Sequence, residues 1–365
     1  MFFRRQKNIL IIRQDRIGDV VLSTALPREI KLRWPAARVT VLLRPYTHAL
    51  YQHNPHVDEI LLDEPHPEDD RRKRRTFREL VRRLRRRRFS HALMLLPQAR
   101  YNYATFLAGI PVRVGVGVIL YHLITGARWV MRHKYRDRRH EADYCLDLIR
   151  KIGVAEPDPT PEIHLTTSEQ TAVNRMRKQW RAEQKRLVGV QVTSGGSAPN
   201  WPPARYRDLI EILQDSRLDD GTSLQLLVTD NELPAEVAGL PQVLYPNAGQ
   251  DLRQALVNFA ALDVLVSAST GPMHICAALK VPTVSLFCPE PSCAPERWRP
   301  LGNRATVLLP ESDYCNHRCP GNTHACTFAG EGGLDPQRVA TATLASLTGS
   351  LRTEARSARP GARPG

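Results

Sequence analysis

One segment in the second half of the chain has the residue types of an anion-binding turn: Ser269-Thr270-Gly271-Pro272-Met273-His274. It lies between the apolar runs 264–266 and 283–287, so a strand is expected to end there and a helix to begin. Pro272 fits the first helical position, because the N–H that proline lacks has no partner there. The N–H groups of such a helix start favour an anion such as a diphosphate at the carboxyl edge of a parallel sheet. A capped core helix without a ligand would have the same pattern.

A second candidate segment, residues 13–22, follows the first apolar run of the chain. It contains one glycine, Gly18, and therefore lacks the G-x-G-x-x-G spacing of a dinucleotide-binding turn. Asp19 falls at the start of the next predicted helix, where its carboxylate could cap the free N–H groups. The alternative is catalytic. At the edge of a sheet that faces a cleft, this carboxylate could accept the proton of an attacking sugar hydroxyl.

Two further strand ends carry small or polar residues that suit a nucleotide. Thr193, Ser194 and Gly195 would let backbone N–H groups approach phosphate oxygens, although a flexible loop has the same composition. Asp230 and Glu232 follow the next predicted strand, where a carboxylate can hold ribose hydroxyls. A solvated turn is the alternative for that pair.

The length and composition predict a chain of two domains, and the cysteines predict a reducing compartment. The 365 residues are 42% hydrophobic, enough for a large core, and cores of this size usually divide. No window has the apolar length of a membrane span, and the N-terminus runs into a predicted strand rather than a signal-peptide core. The seven cysteines, an odd number partly in apolar runs, indicate free thiols. We therefore expect a cytoplasmic protein.

The net charge of +15 is concentrated in one segment, residues 71–88, which contains twelve Lys or Arg and one Glu. The apolar spacing predicts a helix over residues 77–88. Its inner face contains Phe77, Leu80, Val81 and Leu84. Its outer face contains Arg82, Arg83, Arg86 and Arg87. An anionic membrane surface or a polyanionic substrate is the expected partner, a solvated surface helix is the alternative, and nucleic acid is the least favoured.

The order of elements predicts an α/β protein with two doubly wound halves. Buried strands are expected at 8–12, 39–43 and 91–96, and then at 187–192, 224–228, 263–267 and 282–286. Helices are expected at about 19–34, 77–88, 141–151, 204–214, 234–239, 251–260 and 272–280. The proline-rich segment 154–161 is the expected linker. The domains are then 1–155 and 156–349, followed by a basic tail, 350–365, that is expected to be disordered.

The order of three glycine-containing segments makes the chain resemble glycosyltransferase family nine, the ADP-heptose:lipopolysaccharide heptosyltransferases. The matching motifs are I-G-D-V-V-L-S-T at 17–24, G-G-S-x-x-N-W-P at 195–202, and S-T-G-P-M-H-I-x-A-A-L-x-V-P-T-V-x-L-F at 269–287. Segments 84–89, 140–146 and 259–263 add to the resemblance, which covers roughly residues 7–347. It implies the GT-B architecture: two Rossmann-like domains facing a cleft, with the acceptor on the N-terminal domain and the ADP-sugar on the C-terminal domain.

The resemblance also implies roles for particular residues. Asp19 matches the catalytic base, and the diphosphate-binding turn is matched by Thr270, Gly271, Pro272 and Met273. His274 would support that turn or contact phosphate, and a structural histidine is the alternative. Asp230 and Glu232 fall where the family contacts ribose. The implied reaction is an inverting transfer of heptose from ADP-heptose to a lipopolysaccharide core acceptor at the cytoplasmic membrane face, without a metal or other cofactor.

Two positions depart from the family's pattern. A lysine is usual two residues before the loop tryptophan, where this chain has Pro199, so another cation has to replace it, and Arg205 is nearest in sequence. The family commonly has an aspartate before the T-G turn, where it touches sugar hydroxyls, and this chain has Ser269. The resemblance therefore does not define which sugar is transferred. Another nucleotide sugar, or a protein or other glycan as acceptor, is the alternative reading.

Two other features of the sequence, a cysteine-rich loop and the arginine-rich segment, each have more than one interpretation. A cysteine-rich loop could hold zinc, but the paired C-x2-C spacing of structural zinc is missing, so a reduced structural loop is expected. Its candidate ligands are Cys315, His317, Cys319, His324 and Cys326. The arginine-rich segment leaves one non-enzymatic alternative, a nucleic-acid-binding α/β protein.

Overall fold

The structure, a computed structural model, describes residues 6–64, 70–132, 138–181, 185–196, 198–323 and 325–349. Within these residues the strands form two parallel six-stranded sheets, one in each half of the chain. The strands of the first sheet are Asn8–Ile12 (β1), Arg38–Leu43 (β2), Glu59–Leu62 (β3), His91–Met94 (β4), Val112–Val116 (β5) and Arg128–Val130 (β6). Those of the second sheet are Arg186–Gln191 (β7), Leu224–Val228 (β8), Val243–Leu244 (β9), Val264–Ala268 (β10), Thr283–Leu286 (β11) and Ala305–Leu308 (β12).

Both sheets have the strand order of a Rossmann-like, doubly wound fold. The first runs β3-β2-β1-β4-β5-β6 and the second β9-β8-β7-β10-β11-β12. The direction of winding reverses beside β1, which pairs with β2 and β4, and beside β7, which pairs with β8 and β10. Ligands of such sheets bind at the carboxyl ends of the strands next to this reversal. The predicted α/β class with two doubly wound halves is confirmed.

Helices cover the sheets, as all-parallel sheets require. Those of the first half are Ile17–Val21 (α1), Ala25–Arg33 (α2), Asp70–Arg87 (α3), Ala99–Leu107 (α4), Leu120–Thr125 (α5) and Glu141–Arg150 (α6), with a 3-10 helix at Pro45–Leu50. Those of the second half are Thr167–Trp180 (α7), Pro203–Asp215 (α8), Leu252–Ala260 (α9), Gly271–Ala278 (α10), Pro295–Trp298 (α11), Ser312–His317 (α12) and Pro336–Thr348 (α13).

The central strands are buried on both faces. Ile9 of β1 belongs to one apolar cluster and Leu10 to another, because successive side chains of a strand point to opposite faces. Leu80 and Leu84 of α3 join the cluster of Leu10, which confirms the predicted inner face of that helix. The cluster of Ile9 extends to Leu265 of β10, so side chains of both halves pack together.

Two predicted helices were wrong. The helix expected over residues 19–34 is divided into α1 and α2. Ser23 and Thr24 donate hydroxyl hydrogens to carbonyl oxygens three residues earlier (2.7 Å each), and Pro27 lacks the N–H that a continuous helix would use. The segment 234–239 forms turns, and its last residue is a glycine with a left-handed φ of 69°.

A connector without helix or strand, residues 154–166, joins the halves, as its prolines predict. Arg28 of α2 holds it through hydrogen bonds to Thr160 O (3.0 Å) and Glu162 Oε2 (2.9 Å). The predicted basic tail, residues 350–365, lies outside the described residues. Among the described helices, none combines the length and apolar character needed to cross a bilayer.

Candidate active site

Loops that follow the carboxyl ends of β1, β2, β7, β8 and β10 line a cavity of about 1600 Å³, which we call the cleft. Both halves of the chain contribute to it. Its walls contain most of the residues predicted from the sequence: Asp19, Thr193, Ser194, Gly195, Glu232, Ser269, Thr270, Gly271, Pro272 and His274. The strand-end positions that suggested a site are therefore brought together, as expected for the edge of a doubly wound sheet.

Asp19 lies in the first turn of α1, lines the cleft, and keeps 22% of its side chain exposed. Arg13, fully buried at the end of β1, donates from Nη2 to Asp19 Oδ1 (2.8 Å) and from Nε to the Asp19 carbonyl oxygen (3.1 Å). Its Nη1 donates to Leu95 O (3.3 Å), just beyond β4. The guanidinium therefore fixes the orientation of a carboxylate that is open to the cleft. Such a group can act as a general base.

The predicted anion-binding turn is the start of α10. Thr270 is its extended N-cap residue, and Pro272 takes the second helical position, one later than predicted. Thr270 Oγ1 and His274 Nδ1 are buried and have no hydrogen-bond partner among the described residues, although both residues line the cleft. Buried polar atoms in proteins are usually paired. A bound anion at this helix start would supply the missing partners.

His274 is a neutral side chain at physiological pH, because burial lowers its pKa to about 3. Its ring lies 6.4 Å from that of Trp298, which also lines the cleft. A neutral imidazole can donate one hydrogen bond to a phosphate oxygen but adds no positive charge. The charge of any diphosphate bound at this turn would therefore have to be met by backbone N–H groups and by a cation elsewhere.

The two glycine turns of the site touch each other. A Cβ added to Gly18 would lie 3.1 Å from His274 Cδ2, and one added to Gly271 would lie 3.0 Å from Ile17 Cγ2. Neither glycine has a left-handed φ, so close approach, rather than backbone freedom, explains the absence of a side chain. This contact sets the helix of Asp19 directly against the start of α10.

The loop after β7 lines the cleft with Thr193, Ser194 and Gly195. Gly195 and the next residue, Gly196, have left-handed φ values of 59° and 70°, which glycine adopts without strain. Backbone N–H groups of such a loop can approach an anion closely.

Asp230 holds this loop and does not line the cleft. Its Oδ1 accepts from Thr193 N (2.8 Å) and Thr193 Oγ1 (2.6 Å), and its Oδ2 accepts from Val192 N (2.8 Å). Burial raises the pKa of this carboxyl. The predicted ribose contact of Asp230 is therefore wrong, because both oxygens are bound within the protein. Glu232 is exposed and lines the cleft, so it is the carboxylate of this segment that can reach a ribose.

Met273, which was predicted as part of the diphosphate-binding turn, does not present its side chain to the cleft. Its side chain is fully buried and does not line the cleft, because the first turn of α10 directs it into the core. Only the backbone of Met273 can belong to the turn. Ser269, at the end of β10, does line the cleft, so the position where the family commonly has aspartate carries a short neutral hydroxyl here.

Arg205 does not replace the missing lysine. Its Nη1 donates to Leu334 O (3.3 Å), the same carbonyl that Trp201 Nε1 bonds (2.9 Å), and it does not line the cleft. Arg16, the exposed N-cap residue of α1, does line the cleft. Arg16 could not be predicted as a replacement from sequence position, because it lies in the other half of the chain.

The four arginines predicted for the outer face of α3 differ in exposure. Arg82 and Arg86 are exposed. Arg83 Nη1 donates to Leu62 O (2.9 Å), and Arg87 pairs with Glu59 (2.6 Å), an ion pair whose hydrogen bond lowers the pKa of the Glu59 carboxyl. Arg83 and Arg87 therefore each have a partner within the protein, and their contact with an outside partner stays a prediction. None of the four lines the cleft.

Arg253 is a cleft residue that the sequence analysis did not identify. Its guanidinium pairs with Glu169 Oε2 (2.5 Å) and donates to Ala49 O (3.2 Å), so it ties α9 to the first half of the chain. The hydrogen bond from Arg253 lowers the pKa of Glu169 to about 2. A single arginine between distant segments gives no local pattern that a sequence can reveal.

The cysteine-rich loop shows free thiols at Cys315, Cys319 and Cys326, and Cys326 Sγ lies 3.7 Å from the Tyr314 hydroxyl. His324 lies outside the described residues. In the part of the chain that the structure covers, no three His, Cys, Asp or Glu side chains are grouped so as to hold a metal ion.

Two Rossmann-like sheets around a shared cleft form the GT-B architecture, and a helix start that suits an anion, with a carboxylate opposite, is typical of an enzyme that uses a nucleotide sugar. Residues 77–322 match the model of glycosyltransferase family 9 (heptosyltransferase). The chain therefore belongs to glycosyltransferase family 9. It is a glycosyltransferase, and the alternative of a nucleic-acid-binding protein is wrong.

Individual relatives agree. Lipopolysaccharide heptosyltransferase 2 of Salmonella typhimurium is 27% identical over 352 residues, which are 91% of this chain and 96% of that protein. The crystal structure of the family 9 glycosyl transferase of Veillonella parvula superposes with a TM-score of 0.76 at 16% identity, covering 94% of this chain and 97% of that one. ADP-heptose lps heptosyltransferase II of Escherichia coli superposes with a TM-score of 0.69 at 21% identity, covering 94% and 99%. These likenesses confirm the predicted fold.

Proposed function

We propose that this chain transfers heptose from ADP-heptose to a lipopolysaccharide core acceptor. The observation that carries the proposal is the contact between Gly18 and His274, which sets the carboxylate of Asp19 and the anion-binding turn of α10 in one cleft. The relatives named for lipopolysaccharide heptosyltransferase activity support the choice of donor and acceptor.

The donor is proposed to lie with its diphosphate at the start of α10. Backbone N–H groups of the turn, Thr270 Oγ1 and His274 would donate hydrogen bonds, and the helix dipole favours the negative charge. The loop Thr193 to Gly195 faces the same ligand, and Glu232 would accept hydrogen bonds from the ribose. As the sugar leaves, charge grows on the diphosphate, so these donors stabilise the transition state more than the ground state.

Asp19 is the proposed general base. It would take the proton of the acceptor hydroxyl while that oxygen attacks the anomeric carbon and ADP leaves, which inverts the configuration at that carbon. Arg13 acts as a positioning residue, because it binds Oδ1 of a carboxylate that keeps 22% of its side chain exposed and lines the cleft. We propose that Arg16 provides the cation that the loop lacks, and that neither metal nor other cofactor takes part.

The acceptor is proposed to bind on the first half of the chain and at the cytoplasmic face of a membrane. Tyr46 and His48 line the cleft on that side, next to the turn of Asp19. Arg82 and Arg86 are the exposed arginines of α3 that an anionic lipid surface would attract.

A second candidate is favoured by Ser269. A serine in place of a carboxylate removes a charged acceptor of sugar hydroxyl groups, so the cleft could accept another nucleotide sugar, or an acceptor other than the lipopolysaccharide core.

Acceptor-dependent release of nucleotide tests the proposal. The purified chain is incubated with ADP-heptose, UDP-glucose or GDP-mannose, each with and without a heptose-deficient lipopolysaccharide core from which the acyl chains have been removed. We expect release from ADP-heptose alone, and only with acceptor. Release from a UDP- or GDP-sugar, with none from ADP-heptose, would favour the second candidate.

A further inference from the structure

The outer surface of α4 and α5 is unusually apolar for an exposed region. Leu120, Leu123 and Ile124 of α5 are 70%, 56% and 62% exposed. On α4, Phe106 and Leu107 are also exposed. Isolated apolar side chains on a surface are normal, but a contiguous group of large ones indicates an interaction site. We call these five residues the apolar patch.

Hydrogen bonds make the patch one surface with the arginine helix α3. Asn102 of α4 donates to the Tyr121 carbonyl oxygen (3.0 Å) and to Thr125 Oγ1 (3.0 Å), which fixes α5 against α4. Arg85 of α3 donates to the carbonyl oxygen of Leu107 (2.6 Å), which fixes α3 against α4. The guanidinium of Arg113 lies 5.3 Å from the ring centroid of Phe106. The apolar patch therefore has arginines at its border.

The segment of sequence that contains the patch is rich in arginine. Residues 80–136 contain no Asp or Glu. The described part of that range holds ten arginines, at positions 82, 83, 85, 86, 87, 88, 100, 113, 128 and 132. The nearest exposed carboxylate in sequence is Glu79 of α3. Two arginines of this range pair with carboxylates from outside it, Arg87 with Glu59 and Arg100 with Asp63, whereas Arg82 and Arg86 of α3 are exposed. A surface that joins large apolar side chains to exposed arginines is complementary to anionic lipid, whose head groups attract cations while its acyl region accepts apolar side chains.

We propose that the apolar patch inserts into the interfacial region of an anionic bilayer and that the exposed arginines of α3 bind its head groups. A second copy of the chain is a poorer occupant, because a two-fold contact through this surface would bring the arginines of both copies together. The proposal rests on the proposed lipopolysaccharide acceptor, which lies in such a membrane.

The position of α5 relates the proposed membrane contact to the cleft. The helix follows β5 at the carboxyl edge of the first sheet, and the loops after β1 and β2 at the same edge line the cleft. Insertion of α5 would thus hold the acceptor side of the cleft close to the lipid surface. A lipid-anchored acceptor would then reach Asp19 without leaving the bilayer.

Vesicle co-sedimentation tests the proposal. The full chain is mixed with vesicles of phosphatidylcholine and phosphatidylglycerol, two to one, or of phosphatidylcholine alone, at low salt and at about 0.5 M NaCl, where charge interactions between exposed groups are largely screened. The test variant is Leu120→Ser, Leu123→Ser and Ile124→Ser together. The control is Leu32→Ser, since Leu32 is 69% exposed on α2, outside the patch. A second variant, Arg82→Gln with Arg86→Gln, removes charge alone.

We expect the wild type to bind anionic vesicles and to keep part of that binding at high salt. The triple variant should bind about tenfold more weakly or worse and lose the salt-resistant part, because apolar insertion is not screened. The arginine variant should lose mainly the salt-sensitive part. Leu32→Ser should bind like the wild type.

Insertion itself is read from Leu123→Trp, whose fluorescence should shift to the blue on vesicles and be quenched by lipids with brominated chains, while Leu32→Trp should not respond. Unchanged vesicle binding of the triple variant, or an unquenched Leu123→Trp, would overturn the proposal. A wild-type dimer in light scattering that the triple variant converts to a monomer would assign the patch to a second copy instead. Turnover of ADP-heptose on the deacylated acceptor needs no vesicles, so its failure would be a failure of the proposed function alone.

Discussion

Two arginines near Asp19 have different roles in the cleft. Arg13 is fully buried and bonds both the side chain and the backbone of Asp19, so it determines where the carboxylate points. Arg16 is exposed at the cleft and precedes the same helix. Arg16 is therefore the cation that can move to meet a ligand, whereas Arg13 is already occupied.

Replacement of Arg16 tests this division. Arg16→Gln should weaken ADP binding about tenfold, because a hydrogen bond to a charged group contributes about 1.5–3 kcal/mol. The loss should shrink at high salt. Titration calorimetry with ADP measures it, and Arg175→Gln on the exposed face of α7 is the matched control. Equal ADP affinity in the two variants would exclude Arg16 as the phosphate cation.

Sequence position located the site residues but not the direction of their side chains. Asp230 and Glu232 lie two residues apart after β8, and only Glu232 reaches the cleft, because Asp230 bonds the loop of Thr193. The role of Arg13 could not be predicted either, because it depends on a contact between side chains. A charged residue after an apolar strand shows only that the strand ends there. Whether Arg13 pairs with Asp19 depends on the conformation of the turn between them.

Among the secondary structure elements, α1 and α10 determine the geometry of the site. Each begins after a central strand, β1 or β10, and each has a glycine where the other approaches. The proposed general base and the proposed diphosphate-binding turn are consequently parts of one contact between helices from different halves. A change at either glycine should affect both.

Gly271→Val tests this contact. A Cβ at residue 271 lies 3.0 Å from Ile17 Cγ2, so valine should push the turns apart and weaken ADP binding by roughly tenfold or more while the fold persists. Circular dichroism checks the fold and calorimetry the affinity. Adding Ile17→Ala should restore part of the affinity if Ile17 is the obstacle. No restoration would indicate that the branched side chain blocks the phosphate directly, and unchanged ADP affinity in Gly271→Val would locate the nucleotide elsewhere.

Central elements could be predicted from the sequence, and peripheral ones could not. The strands β1, β7 and β10 are long apolar runs because helices cover both faces, and their predicted bounds agree with the structure within two residues. The edge strands β6 and β9 have three and two residues and no apolar run, so nothing local marked them. The contact partners of α3 were also not predictable, because Glu59 and Leu62 belong to β3, which was not anticipated.

At the scale of the whole molecule, a buried carboxylate of the first half forms an ion pair with the second half. Glu141 at the start of α6 pairs with Arg132 (2.8 Å) and with Arg297 of α11 (3.1 Å). His140, the N-cap residue of α6, contacts the carbonyl oxygen of Arg299 through Nε2 (2.9 Å). Charged and polar contacts therefore connect the start of α6 with the segment around α11.

Three histidines, of which His274 is buried and His91 and His140 are partly buried, predict how stability depends on pH. Burial lowers the pKa of His274 to about 3 and of His140 and His91 to about 4, below their ordinary value of 6.5. At a pH between the lowered pKa values and 6.5, these histidines are protonated in the unfolded chain but not in the folded one. The free energy of unfolding should therefore be highest above pH 6.5 and fall as the pH drops toward 4. Glu169, whose pKa is lowered to about 2 by its hydrogen bond with Arg253, loses its contribution only below pH 4.5.

Urea unfolding at pH 7.5, 6.0 and 5.0 measures this dependence. The midpoint should fall at each step, and His140→Asn should reduce the slope, because asparagine keeps an N-cap acceptor but does not titrate. A midpoint that stays constant from pH 7.5 to 5.0 would show that these histidines are protonated in the folded protein.

Acceptor-dependent turnover of the Asp19→Asn variant tests the central claim, that the carboxylate of Asp19 removes the acceptor proton beside a diphosphate held at α10. Asparagine keeps the size and a hydrogen-bonding oxygen toward Arg13 but cannot act as a base. With ADP-heptose and the deacylated core acceptor, we predict that turnover falls roughly 100-fold or more while the affinity for ADP stays nearly constant. Turnover close to that of the wild type, measured as ADP release under the same conditions, would contradict the role of Asp19.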